Sequence, residues 1–329
     1  MSQKRITVLV TGGAGYIGSV LVGRLLNGGY RVRVLDNLSF DGRALLLYFS
    51  HPNFEFVRGD IRNEKDVDRA LESIDAVVHL AAVVGDKACR QNEKLATEVN
   101  REASEMLCEK AVAHKVKRFV FASTCSNYGR TDTSAAYVDE ASPLNPVSLY
   151  AELKVGFEKY LLGLGLPDFA PTCLRFATVY GLSGRPRFDL TVNEFTRELL
   201  FGRKLEIYGE QFWRPYCHTF DLATACVMAL EAESSIVAYQ AFNVGDTSEN
   251  YQKEKLVELI LSELPQMRDN VSYVHRDDDL RDYRVNCDKI QGKLGFSIAR
   301  RVPDGIREVI LAIKSGVIEN PDDSRYCNA

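Results

Sequence analysis

Tyr150 and Lys154 close the run Tyr150-Ala151-Glu152-Leu153-Lys154, a spacing that puts a phenol and an ammonium on one face of a helix. A phenol ordinarily ionises near pH 10, and a cation one turn away favours the phenolate. Such a group can take the proton of an alcohol. Ser123-Thr124 follow a run of strand type, Phe119 to Ala122, and the Thr124 hydroxyl could hold the same oxygen in line. A Tyr-x-x-x-Lys pair arises by chance in many helices. What gives this one weight is a stretch that precedes it by about 130 residues.

That stretch is Thr11-Gly12-Gly13-Ala14-Gly15-Tyr16-Ile17-Gly18-Ser19, after the apolar run Ile6 to Val10 and before the helical spacing Ile17, Val20, Leu21, Leu25. A strand, a glycine turn and a helix leave unpaired N–H groups at the helix start, and with the helix dipole they form a site for a diphosphate. Gly12 permits the tight turn, Gly15 the approach of the phosphates, and Gly18 close packing of helix on strand. A second strand, Arg31 to Leu35, ends in Asp36, about twenty residues on, where an acid takes a ribose. The ligand is then a dinucleotide. The positive charge of an oxidised nicotinamide would join that of Lys154 in drawing the Tyr150 phenol toward neutrality while a hydride leaves the same sugar carbon. Asp36 favours NAD, because a carboxylate repels a 2′-phosphate; Arg33 and Arg43 nearby pull the other way.

These groups need a scaffold that brings them to one edge. Strand runs Phe54 to Val57, Ala76 to Leu80, Phe119 to Ala122 and Thr172 to Phe176 alternate with helical stretches, among them Asn63 to Leu71 and a long amphipathic one from Glu93 to Ala113. Continuous apolar strands separated by helices predict an α/β fold, a Rossmann doubly wound parallel sheet covered on both faces. Ligands bind such sheets at the carboxyl ends of the strands, where Ser123-Thr124, Tyr150 to Lys154 and Arg175 to Gly181 all fall. Past Tyr180-Gly181 the pattern breaks into shorter helices (Leu190 to Leu200, Leu222 to Leu230, Leu256 to Leu264) and short strand-like pieces (Leu205 to Ile207, Phe242 to Val244, Val271 to Val274). We expect a dinucleotide domain over 1–180, with later strands returning from about 215–245. A smaller C-terminal α/β substrate lobe would occupy 181–329. The tail from Asn320 reads as an exposed polar end.

Composition narrows the partners. The chain has 329 residues, 46% hydrophobic, enough for a large core, and a formal net charge of −4 with no basic stripe, which argues against nucleic acid. No apolar run reaches membrane-spanning length. The start Met1-Ser2-Gln3-Lys4-Arg5 enters a core strand at once, leaving no room for a signal peptide. The eight cysteines form no Cys-x-x-Cys pair and no cluster at metal spacing, so we expect reduced thiols, no metal and a cytoplasmic location.

Taken together, the chain resembles the extended short-chain dehydrogenase/reductases of the nucleotide-sugar epimerase/dehydratase family, from Ile6 to about Ile313. The resemblance rests on the glycine loop, Asp60-Ile61, Leu80-Ala81-Ala82, Asn100, Ser123-Thr124 with Tyr128-Gly129, and Tyr150 with Lys154. The second half adds Tyr180-Gly181, Arg214-Pro215-Tyr216-Cys217-His218 and Asn243-Val244-Gly245. It implies that Gly12, Gly15 and Gly18 with Tyr16 and Ile17 hold the NAD diphosphate. Asp36 would take the adenosine ribose, and Asp60 and Ile61 flank the adenine. Leu80, Ala81 and Ala82 line the nicotinamide pocket, with Asn37 and Asn100 in the same cofactor set. Lys154 binds the nicotinamide ribose, Tyr150 is the acid/base and Thr124 its helper. Arg214 and Arg281 match the arginines that clamp the diphosphate of a nucleotide-diphosphosugar, with Arg187 and Arg185 as further candidates. His218 matches a histidine that is usually structural.

Departures from the family pattern narrow the reaction. Members that are 4,6-dehydratases carry an Asp-Glu pair after the catalytic threonine, whereas Thr124 is followed by Cys125-Ser126. A 4-epimerase needs no further acid, and NAD-dependent NDP-sugar 4-epimerase is the reading made here. Asn127 stands where a small apolar residue is usual, and Thr178 where a substrate-facing asparagine is common. The stretch Arg175 to Thr196 is similar to a subgroup among capsule and O-antigen polysaccharide enzymes, some resembling GDP-heptose 4-dehydrogenases. A net 4-dehydrogenase giving a 4-keto sugar is therefore the alternative. A non-catalytic NAD-binding sensor is a third reading, opposed by the presence of both Tyr150 and Lys154. The family also implies a homodimer through the Glu93 to Ala113 helix and the Tyr150 helix, where Leu153, Phe157, Tyr160 and Leu161 are more apolar than a solvated face requires, which core packing explains equally well.

Overall fold

The computed structural model describes residues 6–131, 137–276 and 281–328; the opening residues 1–5, read above as leading straight into a strand, lie outside them. Six strands of the first half are β1 (Thr7–Thr11), β2 (Arg31–Asp36), β3 (Phe54–Arg58), β4 (Ala76–His79), β5 (Arg118–Thr124) and β6 (Ala170–Phe176). They are followed by β7 (Thr178–Tyr180), β8 (Leu205–Tyr208), β9 (Trp213–His218), β10 (Gln240–Val244), β11 (Asn250–Gln252) and β12 (Val271–Val274). The main sheet has the order β10-β6-β5-β4-β1-β2-β3, and every pairing in it is parallel. The chain leaves β1 toward β3 on one side and resumes at β4 on the other. The crevice at that reversal, above the carboxyl ends of β1 and β4, is where such sheets take ligands.

Alternation along each strand builds two separate cores. Val8 and Val10 face the helix Tyr16–Asn27 and the helix Thr219–Glu231, packing with Leu21, Leu25, Leu222 and Ala225. Leu9 faces the opposite way, onto a layer holding Val67, Leu107 and Phe157. A smaller lobe packs the helices Thr191–Leu200, Lys253–Glu263 and Val302–Lys314 around Leu199, Ile207, Ile260 and Ile306. Its strands form a three-stranded sheet β11-β9-β7 and a pair β12-β8.

The structure departs from the sequence reading in three places and decides a fourth. Among the described residues only β10 returns to the main sheet; β9, expected there too, pairs with β7 and β11. The helix expected over Glu93 to Ala113 is interrupted by a wide π-type turn, Glu98–Glu102, that carries Asn100 inward. Leu153, Phe157 and Leu161 are core residues, Phe157 packing edge-on against Phe121 with ring centres 4.8 Å apart, so they give no argument for a second copy of the chain. Finally, the tail is exposed at Asn320, Asp322, Ser324 and Arg325, as read above, but its last described residues are docked. Phe188 N donates to Tyr326 O at 2.9 Å, the two rings meet edge-to-face at 5.5 Å, and Asn328 N donates to Asp189 Oδ2 at 3.1 Å.

Candidate active site

At the end of β1 the chain turns through Gly12, whose φ of +74° and near contact with Ala81 leave no room for a side chain: a Cβ there would sit 2.7 Å from Ala81 N. A Cβ on Gly18 would lie 2.2 Å from Gly12 O, so the helix can approach the strand only because that residue is glycine. The resulting cradle fits a diphosphate, with the first-turn N–H groups directed at it. Asp36 is fixed at the cavity wall, its Oδ2 accepting from Ala14 N at 3.0 Å and its Oδ1 from Leu38 N at 2.8 Å. Burial raises this carboxyl above the usual range, against the pull of those two donors. Asp60 is gripped by the Arg62 guanidinium and bonded by Asn37, which holds its carboxyl down to about 2.

The wall opposite is set by buried polar contacts. Thr11 Oγ1 meets His79 Nδ1 at 2.7 Å and accepts from Ala81 N at 3.3 Å, which positions Leu80, Ala81 and Ala82 along the cavity. Asn100 does not line it. Its Oδ1 accepts from Val83 N and its Nδ2 donates to Val83 O, both at 2.8 Å, so it braces the wall from behind.

Ser148 begins the helix Leu149–Gly163, accepting from Ala151 N at 3.3 Å while donating to Asp86 Oδ1 at 2.7 Å. Tyr150 and Thr124 both line the cavity, the Thr124 Oγ1 accepting from Ser126 N at 3.1 Å, and Lys154 Nζ donates to Ala122 O at 2.8 Å, 6.0 Å from the Tyr150 ring centre. The sequence placed these three together, and the structure does so. The expected acidity differs. Burial drives the Tyr150 phenol well above its ordinary value, with the charges of Cys89 and Asp86 adding to the shift. Burial also pushes Lys154 down to about 8, because desolvation penalises whichever form is charged. The protein alone does not prime the phenol; an oxidised cofactor, when bound beside Tyr150, would supply a positive charge that lowers it.

Behind the site lies a buried network invisible in the sequence. Glu158 Oε1 accepts from Arg175 Nη2 at 2.6 Å and its Oε2 from Ser123 Oγ at 2.6 Å. Asn127, fully buried, donates to Ser123 Oγ at 3.0 Å; its unusual identity serves this network rather than the cavity. Cys125 also turns away, its thiol 3.1 Å from Arg175 O.

One continuous cavity of about 920 Å³ runs from Gly12, Gly15, Tyr16, Ile17, Gly18, Asp36, Asn37, Asp60 and Ile61 past Thr124, Tyr150 and Lys154 to Thr178, Arg187, Arg214 and Arg281. That is near the upper end for small-molecule sites. Arg214 is buried and lies over the Tyr283 ring at 5.3 Å. Arg281 Nη1 donates to Asp86 Oδ2 at 2.8 Å, and Arg187 is bonded twice to Asp189, at 2.9 and 2.7 Å. His218 is structural, as read above: its Nδ1 caps the following helix at Phe220 N and its Nε2 meets Glu308 Oε2 at 2.7 Å. The sequence reading missed Asp86, which ties Ser148 and Arg281 together. It also missed Asn193, whose buried amide donates to Arg187 O at 2.8 Å and to Tyr16 Oη at 3.2 Å. Neither belongs to a recognisable motif, and only the fold brings their partners near.

The profile of the NAD dependent epimerase/dehydratase family matches residues 8–245. The chain belongs to that family. The chain is similar to a dTDP-glucose 4,6-dehydratase of Streptomyces niveus, 31% identical over 92% of this chain and 91% of the relative. A putative UDP-glucose 4-epimerase of Methanocaldococcus jannaschii is 29% identical over 94% and 98%. Among solved structures, a dTDP-glucose 4,6-dehydratase from Streptomyces venezuelae with NAD bound superposes with a TM-score of 0.84, 29% identity, and 95% and 98% coverage. As a family member the protein is an NAD-dependent enzyme of the extended short-chain dehydrogenase/reductase type. The glycine cradle, Asp36 and Lys154 are the residues that would hold the cofactor. No helix among the described residues is long and apolar enough to cross a membrane.

Proposed function

We propose that the enzyme acts at C4 of a nucleotide-diphosphosugar and is an NDP-sugar 4-epimerase. In this reading Tyr150 takes the proton of the C4 hydroxyl and later returns it, while Thr124 fixes that oxygen. Lys154 supports the ribose next to the reacting carbon. Arg214 and Arg281 meet the sugar nucleotide's diphosphate, their planar forks matching its oxygens. NAD, when bound, accepts the hydride and gives it back. The observation that carries the choice of reaction is the position after Thr124. Cys125 is buried with its thiol against Arg175 O, and no carboxylate stands there to remove water across C5 and C6.

The test is product analysis with UDP-, GDP- and dTDP-sugars on purified protein. A C4 epimer without net cofactor reduction is the expected result. Tyr150→Phe should lower turnover about 10²- to 10⁴-fold while NAD stays bound. A 4-keto-6-deoxy sugar, the product type of the dehydratase relatives, would overturn the reading. Thr178 in the cavity wall favours a second reading, net 4-dehydrogenation, since its short side chain leaves the sugar held differently. A 4-keto sugar accumulating with reduced cofactor would establish that alternative.

A further inference from the structure

Arg185 is a buried cation, 6% exposed, that faces the cavity and is ion-paired with no carboxylate among the described residues. Its Nη1 donates to Asn328 Oδ1 at 2.6 Å and its Nη2 to Cys327 O at 3.0 Å and Arg325 O at 3.4 Å, all neutral oxygens. Its Nε has no partner among the described residues. Its charge stays largely uncompensated, and burial together with Arg187 holds the guanidinium down to about 10. A buried, half-satisfied cation is costly to keep and points to an anion that completes it.

Its neighbours locate that anion. The Arg185 guanidinium lies 3.8 Å from the Phe40 ring centre, in the loop that follows Asp36. Two residues on, Arg187 is tied by its main chain, through Asn193, to Tyr16 at the first turn of the glycine-loop helix. The closing segment of the described chain touches both arginines. Asn328 accepts from Arg185, and its N–H bonds the Asp189 Oδ2 that also accepts from Arg187 at 2.7 Å.

We propose that Tyr326 to Asn328 form a strap that sets Arg185 and Arg187 over the diphosphate of the bound dinucleotide, so that cofactor retention depends on this segment. The glycine loop supplies N–H groups from one lobe, and the strap places the Arg185 guanidinium, with the Arg187–Asp189 pair beside it, from the other.

The test compares NAD affinity with nucleoside diphosphate affinity by calorimetry on cofactor-stripped protein. Arg185→Gln, and separately deletion from residue 324 onward, should raise the NAD dissociation constant about ten- to a hundred-fold, the loss of one or two charge-assisted hydrogen bonds. UDP, GDP and dTDP should bind within about twofold of the wild type. The wild-type NAD affinity should also fall with added salt, and Arg185→Gln should flatten that dependence. Unchanged NAD affinity in either variant, at an unchanged melting temperature, overturns the strap. A loss confined to the nucleoside diphosphates overturns it too, since Arg185 would then serve the substrate. If the deletion does not fold, Arg185→Gln alone decides, because it removes the guanidinium while the strap keeps its own bond from Asn328 N to Asp189 Oδ2.

Discussion

At the residue scale the active site is a contest between burial and charge, and burial wins in the protein alone. Tyr150 is held neutral and Lys154 is brought down to about 8 by the same desolvation. A phenol with a raised pKa is protonated at neutral pH and cannot act as a base until a positive charge arrives beside it. Ultraviolet titration of cofactor-free protein, compared with Tyr150→Phe, should show this phenol ionising well above pH 10. Adding oxidised NAD should move the transition to lower pH, and a transition unmoved by NAD would contradict the account. The grouping of Tyr150, Lys154 and Thr124 around one cavity was legible because their spacing repeats a known chemical arrangement. Their acidities were not, since burial is a property of the whole packed wall.

Elements, rather than single residues, decide how that wall stands. His79 at the end of β4 is buried between Thr11 Oγ1 and Ser104 Oγ, and desolvation lowers its pKa from 6.5 to about 3. A histidine kept neutral in the fold but free to protonate when unfolded binds more protons in the unfolded state. Stability is therefore complete above pH 6.5 and declines as pH falls from there toward 3, by up to about 1.4 kcal/mol per pH unit for this one proton. Denaturant midpoints measured across that window should show the slope, and His79→Gln should lessen it. The sequence showed β4 clearly, because an unbroken apolar run between helices has few other readings. It did not show the π-type turn at Glu98–Glu102, whose cause is the Asn100 amide reaching Val83 across the chain.

At the scale of the whole molecule, local pattern lost its power past Gly181. Strands β7 and β11 are three residues each, too short for periodicity to register, and their pairing with β9 is set by distant segments. The polar tail misled for a related reason. Asp322, Asp323 and Asn328 look solvated in sequence, but Asn328 finds partners in Arg185 and Asp189, some 140 residues back. Such satisfaction cannot be read from a run of residues. The smaller lobe is not a separate bead on the chain. Residues 1–180 expressed alone should aggregate, because without β10 the fully buried β6 becomes an open apolar edge. Soluble, monomeric behaviour of that fragment by light scattering would refute this.

The passage of β10 through the main sheet, between the Thr191–Leu200 and β8-β9 portion and the later helices of the smaller lobe, also constrains how specificity can be exchanged. A gene fusion that swaps everything after one crossover point would carry an edge strand cut to fit another sheet. New sugar preference transplanted from a relative must instead arrive as two inserts, one on each side of Gln240–Val244, with the native strand left in place. Chimeras designed that way should retain cofactor and change substrate, whereas tail exchanges should lose both.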